Sequence, residues 1–533
     1  MMAVAARSLG RGSPTVGQAS AFSQFLIALS IGVVLVTLAL GIVLWPTAML
    51  LVFLLAVAGT VGVTAPRVLA AGLGLAVIGV GLATWLGFTI IIVALLAVGM
   101  LAWSAPLYAF ALALTIFGAE GSIKAVLSYS ATPLSLSPVV LGGVFVDAAL
   151  VAAVVGLLFA DRTALRTLWA RLGTLGRISA ALLGAWLIGS LVQIPMSARV
   201  ADAVLGFRLT QGYTIAVVAG VVLAATAGHR AKKIILIAVS PVVLYAALRV
   251  VVGPSSAEQV FTSHRPGVTR YGDAVRATGS FSGAVGLVSF LVPVAALAVG
   301  LLVSSRRHRL WVSSILVCAL TGIVASYTRA ALVAVAVGAV FALILLFAVG
   351  PPSATRRLVA VTVVAVLFAG GAGATVVASS ASPQVHRRVD AVVHPERDLS
   401  LRMRLGTWSR MVDAVWKHPA GSGLGTVGRA SGIGDAATVT ADQSYLKILR
   451  EQGLAIGSLF VLGVLTVCLA IVRGLCRCAG EARPLGVAAL AGFVSFLVLA
   501  AFGEYVEQPG KVLAWTLLGI AAWQAHLETE PIP

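Results

Sequence analysis

The sequence predicts an all-α polytopic membrane protein, a bundle of about 12–16 transmembrane helices with a large extracytoplasmic loop containing short helices. Three observations predict it. Of the 533 residues, 60% are hydrophobic and 10% charged, with a mean hydropathy of +1.05, whereas soluble domains are about 25% charged. Apolar stretches of about 18 residues or more recur from Ser20 to Trp523. The basic clusters fall on one side of the alternation between those stretches, as the positive-inside rule requires.

Residues 1–20, "MMAVAARSLGRGSPTVGQAS", have no adjacent short apolar region ending in a small-residue cleavage site. They read as a retained cytoplasmic tail, not a signal peptide. Candidate spans lie near 21–44, 47–65, 68–86, 87–104, 105–119, 138–160, 179–193, 212–228 and 233–252, an N-terminal transmembrane region of residues 21–252. Spans near 284–304, 311–327, 329–349, 358–378, 454–472, 485–503 and 511–526 belong to a second region, 253–526. Residues 527–533 form the C-terminal tail.

The clusters at 161–177, 229–233 ("HRAKK"), 306–309 ("RRHR"), 356–357 and 473–483 mark the cytoplasmic side. Both termini are then cytoplasmic, in a cytoplasmic (inner) membrane, and loops 253–283 and 379–453 lie outside. The second loop, 75 residues long, is more than a connector. A net charge of +19 would suggest a nucleic-acid partner in a soluble protein. Here the excess sits in short loops and sets topology, so nucleic acid is excluded. Cys318 and Cys468 lie within spans, while Cys476 and Cys478 lie in a cytoplasmic loop without two further ligands. Neither a disulfide nor a metal site is expected.

From Leu310 to Thr355 the only charged residue is Arg329, in "SYTRAALVAVAVG" at the tip of an outward-facing hairpin. Two readings stand: an interfacial arginine snorkelling toward headgroups, or a guanidinium facing a cavity that receives an anion. In the large loop, residues 400–417 have helical periodicity. Trp408, Met411, Val412 and Val415 make an apolar stripe, and Arg402, Arg410, Asp413 and Lys417 lie largely off it. Such a helix lies flat on the outer membrane face or caps the spans. Pro419 stops it, and the glycines of "GSGLG" could cradle a phosphate or form an ordinary helix-stop loop. The loop ends in "TADQSYLKILREQGLAIG", where Asp442 or Thr440 could cap the next helix. Asp442, Gln443 and Tyr445 then stand at the mouth of the membrane domain. Arg270 and Arg276 precede another span, so arginines from three outer regions are available for bidentate phosphate contact.

The stretches "VRATGSFSGAVG", "ASYTRAALVAVAVG", "RLGTWSRMVDAVWKHPAGSGLG" and "DQSYLKILREQGLAIG" occur in that order. Together they resemble the O-antigen ligase and O-antigen polymerase superfamily of polytopic glycosyltransferases, over about residues 265–465. The resemblance implies a GT-C-like fold and glycan transfer from an undecaprenyl-diphosphate-linked donor. The acceptor is a cell-envelope glycan or lipid (ligase) or another lipid-linked glycan (polymerase), and the active site lies on the outer face. It implies that Arg276, Arg329 and Arg404, with Arg270 and Arg402 nearby, hold the diphosphate without a metal or other cofactor. Where ligases carry a histidine this chain has Asp442, followed by Gln443. Asp442 could be the general base, or a helix cap; His418 is a further catalytic candidate, and Gln443 and Tyr445 line the acceptor mouth. The competing reading is a transporter or flippase of lipid-linked oligosaccharide, thinly supported by Asp147 within a span. Polyprenyl-monophosphate-dependent transferases usually show an acidic pair in the first outer loop, and here only isolated acids such as Glu120 occur.

Overall fold

In the computed structural model the described residues are 95, 98–129, 138–197, 199–255, 258–259, 261, 270–271, 274–304, 308–349, 399–433, 442–477 and 483–526. They form an all-α polytopic membrane protein. In order the helices are α1 (Pro106–Gly118), α2 (Glu120–Tyr129), α3 (Pro138–Ala160), α4 (Ala164–Arg171), α5 (Thr174–Met196), α6 (Val200–Thr210), α7 (Ala216–Ala227) and α8 (Ala231–Val252). Then come α9 (Ala284–Ser304), α10 (Arg309–Ala325), α11 (Arg329–Val349), α12 (Leu399–Lys417), α13 (Ser444–Arg477), α14 (Arg483–Ala500) and α15 (Lys511–Ala525). Between α8 and α9, Arg270–Tyr271 pairs antiparallel with Ala274–Val275 in a minimal hairpin. Among the described residues, six helical runs are long and apolar enough to cross a membrane.

Every candidate span from 105–119 onward that falls on described residues coincides with a helix. Those before residue 95 and at 358–378 lie outside the described residues.

The bundle is built around α9. It is apolar on all sides and almost wholly buried, as an all-round hydrophobic helix must be. It packs along α10, α11 and α14, while α5 runs along α13 and α7 along α15. Small residues permit the closest approaches. A Cβ on Gly220 of α7 would lie 2.1 Å from the Thr516 carbonyl oxygen, and one on Gly519 of α15 would lie 2.1 Å from that of Val217. Only glycine fits these facing positions, the usual device where no hydrophobic force drives helices together.

α13 begins earlier than the predicted span. Gly453 (φ 79°, ψ 171°) breaks it into a polar N-terminal stub, 444–452, and a long apolar shaft. The break is held open from outside: the Leu454 amide donates to the Pro419 carbonyl at 2.8 Å. Thus the helix-stopping proline of the large loop also interrupts the next helix.

Candidate active site

The arginine-bearing hairpin tip is assembled first. α10 ends at Ala325, and Ser326, Tyr327 and Thr328 turn the chain into α11, which opens on Arg329. Tyr327 has φ 54°, a left-handed conformation unusual for a side-chain-bearing residue. Arg276 clamps this turn. Its Nε donates to the Ser326 carbonyl at 2.9 Å and its Nη2 to the Thr328 hydroxyl at 3.0 Å. The Ala277 amide also donates to the Ala325 carbonyl at 2.9 Å. Arg276 therefore lies beside the residue that precedes Arg329.

α12 supplies Arg404. Arg404, Trp408, Met411 and Val415 follow one another at three and four residues, and this is the face turned to the protein. Met411 and Val415 are buried, Trp408 and Arg404 half-buried. The predicted stripe is thus rotated: Val412 is exposed, with Leu405 and Trp416 beside it, and Arg404 takes the inward place. Arg404 Nη1 donates to the Phe502 carbonyl at 3.2 Å. Arg402 is exposed on another side of the helix.

Phe502 belongs to the connection between α14 and α15, "AFGEYVEQPG", which in the sequence reads as no more than a short turn between spans. It is the hub of the site. The Ser444 hydroxyl donates to the Gly503 carbonyl at 2.7 Å and accepts the amides of Tyr505 and Val506 at 3.0 and 3.2 Å. The charges of Arg404 and Arg276 both act on the Tyr505 phenol, each lowering its pKa. Burial pushes that phenol up to about 12, against the pull of the two cations, so it stays protonated at neutral pH.

Asp442 precedes α13 at φ 46°, with its carbonyl accepting the Trp408 Nε1 proton at 3.2 Å. The cap on α13 is Gln443, whose Oε1 accepts the Leu446 amide at 3.0 Å. Asp442 therefore does not cap the helix with its side chain. Among the described residues its carboxylate has no hydrogen-bond partner. The Tyr445 hydroxyl is taken up by the Leu497 carbonyl at 2.8 Å, so this residue braces α14 rather than offering its hydroxyl to the mouth. His418 is exposed at the far end of α12, about 21 Å from Arg404 along the axis at about 1.5 Å per residue. The structure does not bring it to the arginines. Arg270 stands in the small hairpin, and its side chain is outside the described set.

The glycines of "GSGLGTVG" serve close packing rather than a phosphate cradle. Ser422 and Gly423 give their amides to the Arg450 and Glu451 carbonyls at 2.8 and 3.0 Å. A Cβ on Gly425 would lie 2.0 Å from the Asp202 carbonyl, and one on Gly428 would overlap the Glu504 carboxylate.

Beneath the hub lies a buried charge network that sequence reasoning missed. Lys447 bridges Glu451 at 2.8 Å and Glu507 at 2.9 Å with all three side chains fully shielded. The Arg429 amide donates to Glu507 at 2.9 Å. The i, i+4 spacing of Lys447 and Glu451 was a readable signal; their partner beyond α14 was not. Asp147, expected as a lone intramembrane acid, is paired with Arg208 and accepts the Tyr213 hydroxyl proton.

Residues 314–461 match the family described as O-antigen ligase. The resemblance seen in the motifs holds over that stretch. The O-antigen ligase segment begins in α10 and ends in α13, and so takes in Arg329, Arg402, Arg404, His418, Asp442, Gln443 and Tyr445. Arg276 and the Tyr505 connection fall outside it. No curated protein matches the chain. The match supports O-antigen ligase-like glycan transfer by a membrane protein.

Proposed function

We propose that the protein transfers a glycan from an undecaprenyl-diphosphate-linked donor on the outer face of the cytoplasmic membrane. The recipient is a cell-envelope acceptor in the ligase case, or a second lipid-linked glycan in the polymerase case. The observation that carries the reading is that Arg276 clamps the turn that presents Arg329, while Arg404 reaches from α12 to the Phe502 carbonyl of the α14–α15 connection. Guanidinium groups match phosphoryl oxygens in shape and charge.

In this reading the acceptor hydroxyl attacks the anomeric carbon of the donor while the bond from that carbon to the diphosphate oxygen breaks. Asp442 takes the hydroxyl proton. The electron pair leaves with the polyprenyl diphosphate, whose growing negative charge the arginines neutralise; preorganised cations in a dry site are effective at this. Arg276, Arg329 and Arg404 do this work, with Arg270 and Arg402 supporting, and no cofactor is invoked. α12 roofs the site, with Leu405, Val412 and Trp416 exposed toward the outer leaflet.

The test uses purified protein in detergent with a lipid-diphosphate glycan and an acceptor. Transfer releases undecaprenyl diphosphate, and Arg329→Ala and Arg404→Ala abolish that release while the protein still inserts. A transporter releases none, and unchanged activity in both variants removes the arginine argument. One glycan on a different acceptor marks a ligase; a ladder of lipid-linked chains marks a polymerase.

A further inference from the structure

Two of the membrane spans, Gly142–Ala160 in α3 and Thr174–Met196 in α5, are joined by residues 161–173. Both ends of that connection lie at the membrane surface, and so does α4, which fills most of it. α4 is firmly built. Asp161 Oδ1 accepts the Thr163 amide and hydroxyl at 3.0 and 2.8 Å and the Ala164 amide at 3.1 Å, starting the helix. Ala164 and Leu168 turn to the hydrophobic core, and α4 packs on α7. Topology needs basic charge in this connection, but it does not need a helix with an aromatic face.

The outer side of α4 carries Leu165 and Trp169, four residues apart and so on one face. Trp169 is 53% exposed, and Phe159, at the end of α3, is 61% exposed. Arg162 and Arg166 are exposed beside them, and the Arg162 guanidinium lies 4.8 Å over the Phe159 ring. The first turns of α5 add exposed Arg177 and Ile178. Water suits these arginines but not large apolar side chains gathered together. Hydrocarbon suits the apolar groups but not guanidinium. The headgroup layer suits both. Charge then selects the headgroup. From 159 to 178 the chain has four arginines and one acid, Asp161, whose carboxylate is engaged in starting α4. A zwitterionic headgroup brings as much cation as anion, whereas an anionic one complements this surface.

We propose that Phe159, Arg162, Leu165, Arg166 and Trp169 form a binding site for an anionic phospholipid. The guanidinium groups take its phosphodiester, which they match in shape and charge, and the apolar side chains take the upper part of its acyl chains. The site shares no residue with the proposed donor site and does not depend on that reading.

The test uses full-length protein purified in a neutral detergent and titrated with phosphatidylglycerol, phosphatidylcholine or inorganic phosphate, with bound species read by native mass spectrometry. Phosphatidylglycerol should bind in preference to phosphatidylcholine. Its Kd should rise about fivefold in each of Arg162→Gln and Arg166→Gln, the worth of one basic side chain at an anionic surface. Trp169→Ala should weaken both lipids alike. Melting temperatures without lipid should stay as in the parent. Equal affinity for the two phospholipids, or a phosphatidylglycerol affinity unmoved by the arginine substitutions, overturns the proposal. So does a melting temperature lowered by those substitutions in the absence of lipid, which makes the arginines structural. Inorganic phosphate that displaces the lipid at equal concentration overturns it in favour of a free anion. An arginine-dependent dimer without lipid overturns it in favour of a second copy of this chain.

Discussion

Lys447 of α13 and Glu507 of the α14–α15 connection meet at 2.9 Å with both side chains 0% exposed. Glu451 joins them from the next turn at 2.8 Å. Removing one partner of such a buried set leaves bare charge behind. Lys447→Met should therefore lower stability by about 3–5 kcal/mol, seen as a fall in melting temperature in detergent. Adding Glu451→Gln and Glu507→Gln to Lys447→Met should restore part of the loss. If Lys447→Met melts like the parent, the cluster does not hold the hub.

Arg276→Lys tests the clamp on the hairpin. The arginine uses Nε and Nη2 at once, on Ser326 and Thr328, and an ammonium cannot reproduce that fork. The donor KM in the transfer assay should rise about tenfold, the scale of one charge-assisted hydrogen bond. An unaltered KM would put Arg276 outside the donor site.

Asp442 and Gln443 separate chemistry from architecture. Asp442→Asn should reduce kcat about a hundredfold or more while donor KM holds, as for a lost general base. Gln443→Ala removes the cap on the Leu446 amide, and should cost about 1 kcal/mol of stability with little change in rate. Full activity in Asp442→Asn would send the search for the base elsewhere.

Glu504 gives the fold a pH dependence. Burial, then the charge on neighbouring Glu507, pushes its carboxyl up to about 9 from an ordinary value of 4.5. The folded protein thus keeps a proton that the unfolded chain has already released, and the stability this group contributes is lost as pH climbs through that interval. Melting temperature recorded from pH 5 to about 9 should fall, and Glu504→Gln should flatten the slope. A slope unchanged by the substitution would assign it to other groups.

Two glycines should respond oppositely to alanine. Gly425 has φ 74° and its Cβ would strike the Asp202 carbonyl, so Gly425→Ala should yield little folded protein. Gly406 lies within α12, where an added methyl would meet nothing within 4 Å, so Gly406→Ala should gain about 1 kcal/mol. Fluorescence-detected size exclusion of both variants decides the matter.

The spans were legible because a membrane helix must satisfy its own backbone and present apolar side chains, a requirement written locally. The amphipathic helix at 400–417 was legible for the same reason, down to one residue at its start. Its rotation was not: periodicity groups Val412 with Met411, but an Arg404 contact with a carbonyl roughly a hundred residues downstream decides which flank turns inward. Tyr505 and Glu507 escaped notice because nothing in a ten-residue turn announces that Ser444, Arg404 and Lys447 will gather on it. Long-range convergence leaves no trace in spacing.

Three hydrogen bonds around the mouth close a loop. Trp408 reaches the Asp442 carbonyl, Ser444 reaches Gly503, and Arg404 reaches Phe502. The sides of this figure come from α12, the start of α13 and the α14–α15 turn. A three-cornered brace cannot shear without breaking an edge. The separation of the Arg404 and Asp442 backbones is thereby set by neighbouring struts, and a load on the rest of α12 can be borne without changing it.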